Sequence, residues 1–211
     1  MAAARTHRTV PAVCLAVFTV AWIGLAIHPR YRTDWLLENL LTFACVPLAI
    51  ATYRRFRFSD QAYVQATVFL LLHTIGSHYT YAEVPAGEWL KQALDLPRNH
   101  YDRIVHFCFG LLMLRPAREL TIRRPRALGR WTLFYLSFAS VAWWSVAYEL
   151  MEWAVARVAD PAAGTAYLGT QGDVWDAQKD MGLACLGALI AAAVDGWQIQ
   201  ASARPPARSR H

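Results

Sequence analysis

The stretch GDVWDAQKDM, residues 172–181, places three aspartates directly before a long apolar run. They are Asp173, Asp176 and Asp180. In a helix with about 100° between successive residues, the three side chains fall within an arc of roughly 60°. Carboxylates that share a helix face at the edge of an apolar segment are candidate cation-binding groups. We therefore predict that the three aspartates are metal ligands.

Two further segments carry ionisable residues at helical spacing. Asp102 and His106 are four residues apart, and Glu149 and Glu152 are three apart, so each pair lies on one helix face. Helical bundles build metal sites from such side chains when they converge from different helices. We predict that Asp102 and His106 belong to the metal site. Asp102 either binds the metal itself or holds the His106 ring in its ligating tautomer.

Acids outnumber cations in this set, which favours a bound metal ion. Six carboxylates face only Arg103 and Lys179, and such an excess in a poorly hydrated site requires protons or a cation. Mixed oxygen and imidazole ligands suit Zn²⁺, Mn²⁺ or Fe²⁺, whereas an all-carboxylate subset suits Mg²⁺ or Ca²⁺. The prediction is a divalent metal ion of open identity, with catalytic groups Glu149, Glu152, Arg103 and Lys179.

Four more residues are weaker candidates for the same site: Glu38, His73, His78 and Glu83. A histidine on an apolar helix is more often buried and hydrogen-bonded than a ligand. Acids in a first helical turn are often ordinary caps, because the helix dipole favours them there. This capping alternative applies to Asp34 and Asp173 as well.

The elements that must position these residues are predicted to be membrane helices. The chain has 211 residues, of which 56% are hydrophobic and 17% charged, a bias typical of bilayer proteins. A bilayer span needs roughly 20 mostly apolar residues. On that scale the predicted fold is all-α, a single domain over residues 9–199 formed by six transmembrane helices. The approximate spans are 9–27, 35–53, 62–81, 101–118, 131–155 and 176–199.

Basic residues predict the orientation of these spans. Most of the 21 Lys and Arg residues lie before the first span, after the last, or in the loops after the second and fourth. Because basic residues favour the cytoplasmic side, residues 1–8 and the basic tail 200–211 are predicted to be cytoplasmic. Every candidate site residue then lies in the outer half of the bundle, in one polar chamber. The longest outer loop, residues 82–100, contains a predicted interfacial helix from Glu88 to Leu96.

The remaining global signals exclude some function classes. The four cysteines stand in different spans without paired spacing, which argues against a disulfide framework or a zinc ribbon. The formal net charge is +6, but no nucleic-acid-binding module accompanies it, so no nucleic-acid partner is predicted. The predicted partners are the lipid bilayer and a lipid or envelope headgroup.

Four motifs carry a resemblance to a known family. SHYTYAEVPAG, RNHYDRIVHFCFGLL, YELMEW and LGTQGDVWDAQKDM, in this order and spacing, resemble the YjdF-like family of bacterial inner-membrane proteins. The resemblance covers nearly the whole chain and implies a multi-pass protein of the bacterial inner membrane.

The chain is also similar to VanZ-like membrane proteins, which pair a D-K-x-x-H helix start with a later acid and a D-x-x-x-N helix start. Asp102 to His106 matches the first element with Arg103 in place of lysine, and Glu149 could supply the acid. The last element is matched by Asp176 and Asp180, with aspartate in place of asparagine. This resemblance implies a link to the cell envelope but no particular reaction.

Three hypotheses of function follow. The first is a membrane-embedded, metal-assisted enzyme that acts on a lipid or envelope headgroup from the outer face. The second is a transporter or ion pathway, although the apolar inner halves of the spans argue against it. The third is a non-enzymatic membrane binding or scaffold protein whose polar network only orders the helices.

Overall fold

The computed structural model describes residues 2–122, 128–158 and 167–202. These residues form eight helices and no strand, so the predicted all-α class is confirmed. In chain order the helices are α1 Ala2–Ala26, α2 Arg32–Glu38, α3 Leu40–Thr52, α4 Asp60–Tyr79, α5 Pro85–Ala93, α6 Tyr101–Ile122, α7 Arg130–Val158 and α8 Asp176–Ser202. Most of the predicted basic tail, from residue 203 onward, lies outside the described residues.

Two of these helices are long and apolar enough to cross a membrane. They are α1, over Thr9–Ala26, and α8, over Asp176–Asp195. Helices α2 and α3 provide a third candidate if the bent pair is counted as one span. Helices α4, α6 and α7 are long enough but less apolar, so the six predicted crossings stay a prediction for those segments.

The second predicted span, 35–53, is not one continuous helix. It breaks at Asn39, where α2 and α3 meet at an angle of 43°. The buried Asn39 amide donates to the carbonyl oxygen of Trp35 at 2.8 Å and accepts from the Trp22 indole at 2.7 Å. A polar side chain that bonds the preceding turn competes with the regular helix ladder and bends the helix.

Helices α6 and α8 run parallel and approach each other closely. A Cβ atom at Gly110 would overlap the carbonyl oxygen of Ala184, and one at Gly187 would overlap that of Phe107. Small residues at such positions allow helix backbones to meet. The first turns of α6 and α8 therefore lie at the same end of the molecule. At the opposite end, Arg115 on α6 donates to Asp195 on α8 at 2.7 Å.

The loop between α4 and α6 folds back over the first turns of this pair. Its helix α5 begins at Pro85, three residues before the predicted start, because proline is well suited to the first helical position. The buried Asn99 amide donates to the carbonyl oxygen of Val84 at 3.0 Å and packs against Gly87. This contact ties the end of the loop to its beginning.

Candidate functional site

Three of the five predicted metal ligands come together at the first turns of α6 and α8. They are Asp102, His106 and Asp180, whose potential ligand atoms all lie within 4.8 Å of one another. Asp102 and His106 face α8 because they are one turn apart on α6. Asp180 is the most enclosed of the three, with 2% of its surface exposed. The set combines two carboxylates with one imidazole.

Glu149 joins this group from α7. The His106 Nε2 atom lies 3.5 Å from Asp102 Oδ1 and 3.5 Å from Glu149 Oε1. Two ligands of one tetrahedral metal ion, each about 2.1 Å from the metal, are separated by about 3.4 Å. The spacing around His106 therefore fits a shared ion. We call Asp102, His106, Glu149 and Asp180 the acidic cluster.

Two carboxylate oxygens of the acidic cluster are buried without a hydrogen-bond partner among the described residues. They are Asp180 Oδ1 and Glu149 Oε1. A buried polar atom that lacks a partner costs about 1–3 kcal/mol, and more if it is charged. Glu152 lies one turn further along α7, on the same helix face as Glu149. A cation or protons would relieve that cost.

The other two predicted ligands, Asp173 and Asp176, lie against cations instead. Arg98 and Arg103 both donate to Asp176, with the second contact at 3.2 Å. Asp173 accepts from Arg103 and, at 2.5 Å, from the Lys179 ammonium group. We call these five residues the arginine–aspartate group. The predicted charge balance set six carboxylates against Arg103 and Lys179, a formal excess of four negative charges. Arg98 adds a third cation, so the excess at this end is three.

The titration of the arginine–aspartate group follows from these contacts. The hydrogen bond from Lys179, helped by the Trp175 amide and by Arg103, lowers the pKa of Asp173 below its usual range. Burial lowers the pKa of the neighbouring His100, and the positive charges of Arg103 and Arg98 lower it further. Near neutral pH, Asp173 is therefore charged and His100 is neutral.

Glu38 and His73 lie beside the acidic cluster in a separate network. The Tyr148 hydroxyl donates to Glu38 Oε2 at 2.7 Å, and the Tyr148 ring lies 5.9 Å from that of His106. His73 uses both ring nitrogens, one with the Tyr81 hydroxyl at 2.5 Å and one with the Glu38 carbonyl oxygen at 3.1 Å. Both ring nitrogens of His73 are therefore occupied, which is the arrangement expected of a buried, hydrogen-bonded histidine.

His78 and Glu83 lie in other contacts. The His78 Nδ1 atom is 2.7 Å from the carbonyl oxygen of Leu25 on α1, and Glu83 forms an exposed ion pair with Arg30. The Asp34 carboxylate accepts from the Thr80 hydroxyl at 3.1 Å, which fixes α2 against the end of α4. None of these contacts brings the residue into the acidic cluster.

Three further side chains near the site were not predicted from the sequence. Arg98 stands in a loop, where a basic residue gives no sign of burial. Tyr148 directly precedes Glu149, and that adjacency was an available signal. Tyr167 is 2% exposed, and its hydroxyl has no hydrogen-bond partner among the described residues.

Apolar helices of spanning length, combined with a buried cluster of acids, define a helical membrane protein with a polar interior. The chain belongs to a family of predicted membrane proteins (DUF2238), whose family model matches residues 10–200. It is 36% identical over 168 residues to the inner membrane protein YjdF of Escherichia coli (strain K12), which covers 80% of this chain and 79% of the relative. No solved structure shows significant similarity to the chain. The predicted YjdF-like family and inner-membrane location are confirmed.

Proposed function

We propose that the chain crosses the bacterial inner membrane six times, with both termini in the cytoplasm. Helices α4, α6 and α7 have 20, 22 and 29 residues, and at 1.5 Å per residue each reaches about 30 Å or more, the thickness of the hydrocarbon core. The surface of α7 supports the proposal, since Trp143 and Trp153 are 62% and 61% exposed. Lipid would cover these large side chains.

The proposed function is metal-assisted chemistry on a lipid or envelope headgroup at the outer face. The observation that carries it is the pair of buried oxygens of Asp180 and Glu149 beside the His106 ring, neither of which has a hydrogen-bond partner within the described part of the chain. Carboxylates left in this state are stabilised by a cation that they ligate. Asp102, His106 and Asp180 are the proposed ligands, and the mixed donor set suits Zn²⁺, Mn²⁺ or Fe²⁺.

The remaining side chains have proposed roles around that ion. A bound divalent ion would polarise a phosphoryl or carbonyl oxygen, or activate a water molecule. Glu149 and Glu152 share one face of α7 and are placed to accept and return a proton. Arg103 and Lys179 would hold the anionic part of the headgroup. Asp173 and Asp176 keep those cations in position.

Metal analysis tests the ion. The full-length protein, purified in detergent without chelators, is analysed by inductively coupled plasma mass spectrometry beside Asp180→Asn. The matched control is Asp195→Asn, which removes an acid from the opposite end of α8. We expect about one divalent ion per chain in the wild type and in the control, and at least a tenfold loss in Asp180→Asn. Equal, negligible metal in all three would overturn the proposal.

Headgroup release from liposomes then tests the chemistry. The metal-loaded wild type is expected to release water-soluble headgroup, and Glu149→Gln is expected to lose that release while retaining the metal. A protein that binds metal but releases nothing from any anionic or zwitterionic phospholipid would contradict the enzymatic role. That result would favour the scaffold hypothesis.

Transport is the alternative to be separated from this function. It requires a polar route to both faces, and the backbone contacts at Gly110 and Gly187 leave no such route between α6 and α8. Cation flux into proteoliposomes is the discriminating measurement. Flux that is abolished by Asp180→Asn and occurs without headgroup release would favour transport.

A further inference from the structure

A groove on the α6–α8 pair lies beside the acidic cluster. It is open to the surroundings and has a volume of about 650 Å³, within the range of about 300–1,000 Å³ that is typical of small-molecule sites. Its polar end is formed by His100, Arg103 and Lys179. Residues 103 and 107 on α6, and 179, 182, 183 and 186 on α8, recur at the spacing of one helix face, and His100 directly precedes α6.

The other end of the groove is apolar. Phe107, Leu183 and Leu186 line it, and Leu186 is about 10 Å along α8 from Lys179 at 1.5 Å per residue. Gly182 forms its floor, and a Cβ atom placed there would meet nothing within 4 Å. The groove therefore combines a basic head with an apolar body that runs toward the middle of the bilayer.

The charges within the arginine–aspartate group favour an anion. Arg98, Arg103 and Lys179 stand against Asp173 and Asp176, which leaves a local surplus of one positive charge. The overall negative excess at this end comes from Asp102, Glu149, Glu152 and Asp180, which the proposed cation or protons would offset. Lys179 is the most accessible cation of this group, with 48% of its side chain exposed. An ammonium group that already holds a carboxylate still has donors free for a second acceptor. An anionic group at the membrane surface can reach it without displacing Asp173.

We propose that this groove binds one anionic phospholipid, with its phosphate at Lys179 and Arg103 and one acyl chain along Phe107, Leu183 and Leu186. Anionic phospholipids would then be the substrate class of the proposed function. Any reaction of the bound lipid rests on that proposed function. Lipid binding itself is measured apart from the cation, because Asp180 does not line the groove.

The experiment is native mass spectrometry of the full-length protein in detergent, with added phosphatidylglycerol, phosphatidylcholine or glycerol 3-phosphate. Gly182→Trp fills the floor of the groove, and Lys179→Gln removes the accessible charge. Gly24→Trp is the matched control, because a Cβ atom on that α1 glycine also meets nothing within 4 Å. Asp180→Asn separates the two proposals.

The expected result is one phosphatidylglycerol per wild-type chain, retained by Gly24→Trp and by Asp180→Asn. The affinity falls about tenfold in Lys179→Gln, the effect of losing one charge-assisted hydrogen bond, and by at least as much in Gly182→Trp. Equal retention of phosphatidylcholine would overturn the role of the basic head. Competition by glycerol 3-phosphate at the same concentration, or an unchanged affinity in Gly182→Trp, would overturn the role of the apolar body. If Asp180→Asn loses the metal and still binds the lipid, the result supports the lipid site independently of the metal site.

Discussion

Arg98 and Asp176 form a buried ion pair between residues that are 78 positions apart in the sequence. Both Nη atoms of Arg98 donate, one to each carboxylate oxygen, and each side chain is 5% exposed. Arg98 also donates to the carbonyl oxygen of Thr170 at 2.9 Å. One loop residue thus fastens the segment before α8 and the first turn of α8 to the entrance of α6.

The ion pair predicts a large loss of stability when one partner is removed. Arg98→Gln leaves Asp176 as a buried charge with fewer donors, and we expect the free energy of unfolding to fall by about 3–5 kcal/mol. Unfolding in mixed micelles measures the change. The double variant Arg98→Gln, Asp176→Asn should recover part of the loss, and a fully additive double variant would contradict the pairing. Arg30→Gln, at an exposed pair, is the control and should change little.

Because α6 and α8 approach each other closely, we predict that position 110 does not tolerate a side chain larger than that of glycine. Gly110→Val places a side chain where the carbonyl oxygen of Ala184 lies, and overpacking of this kind costs about 1–3 kcal/mol. The thermal midpoint of the detergent-solubilised protein measures it. Gly182→Val on the facing helix serves as the control because its Cβ meets open space. Equal midpoints for the two variants would show that the helices are further apart.

We predict that the Tyr148 hydroxyl stabilises the folded protein and takes no part in metal binding. Tyr148→Phe removes the donor to the buried Glu38 carboxylate, and we expect a loss of about 1–3 kcal/mol. The metal content should stay at the wild-type level because Tyr148 is not a proposed ligand. The exposed Tyr135, with 67% of its surface accessible, provides the control Tyr135→Phe. A variant that loses its metal and keeps its stability would place Tyr148 in the site instead.

We predict that the contribution of Asp173 to the stability of the folded protein depends on pH. Its pKa is lowered in the folded protein, chiefly by the Lys179 hydrogen bond, so its stabilising effect is present above its unfolded pKa, near 3.8, and is lost as the pH falls below that value. The midpoints of the wild type and Asp173→Asn should differ by a constant amount above about pH 4. The gap should close in more acidic buffer. A gap that widens on acidification would show that the sign is wrong.

Much of the fold could be predicted from local pattern. Apolar runs of spanning length locate α1 and α8, and the four-residue spacing of Asp102 and His106 places both on one face. The break at Asn39 could not be predicted in the same way. An asparagine in an apolar run bends a helix only when its side chain finds partners, and one of those partners, Trp22, lies on another helix.

The division of the aspartates shows where sequence and tertiary structure part. Of Asp173, Asp176 and Asp180, the sequence determined only that the last two lie one turn apart on α8, because helical periodicity depends on neighbouring residues, whereas Asp173 precedes the helix. Only the tertiary structure decided that the first two meet arginines while Asp180 meets His106. That choice depends on which side chain of α6, or of the loop before it, lies opposite each carboxylate. Contacts between residues 70 or more positions apart cannot be inferred from local spacing.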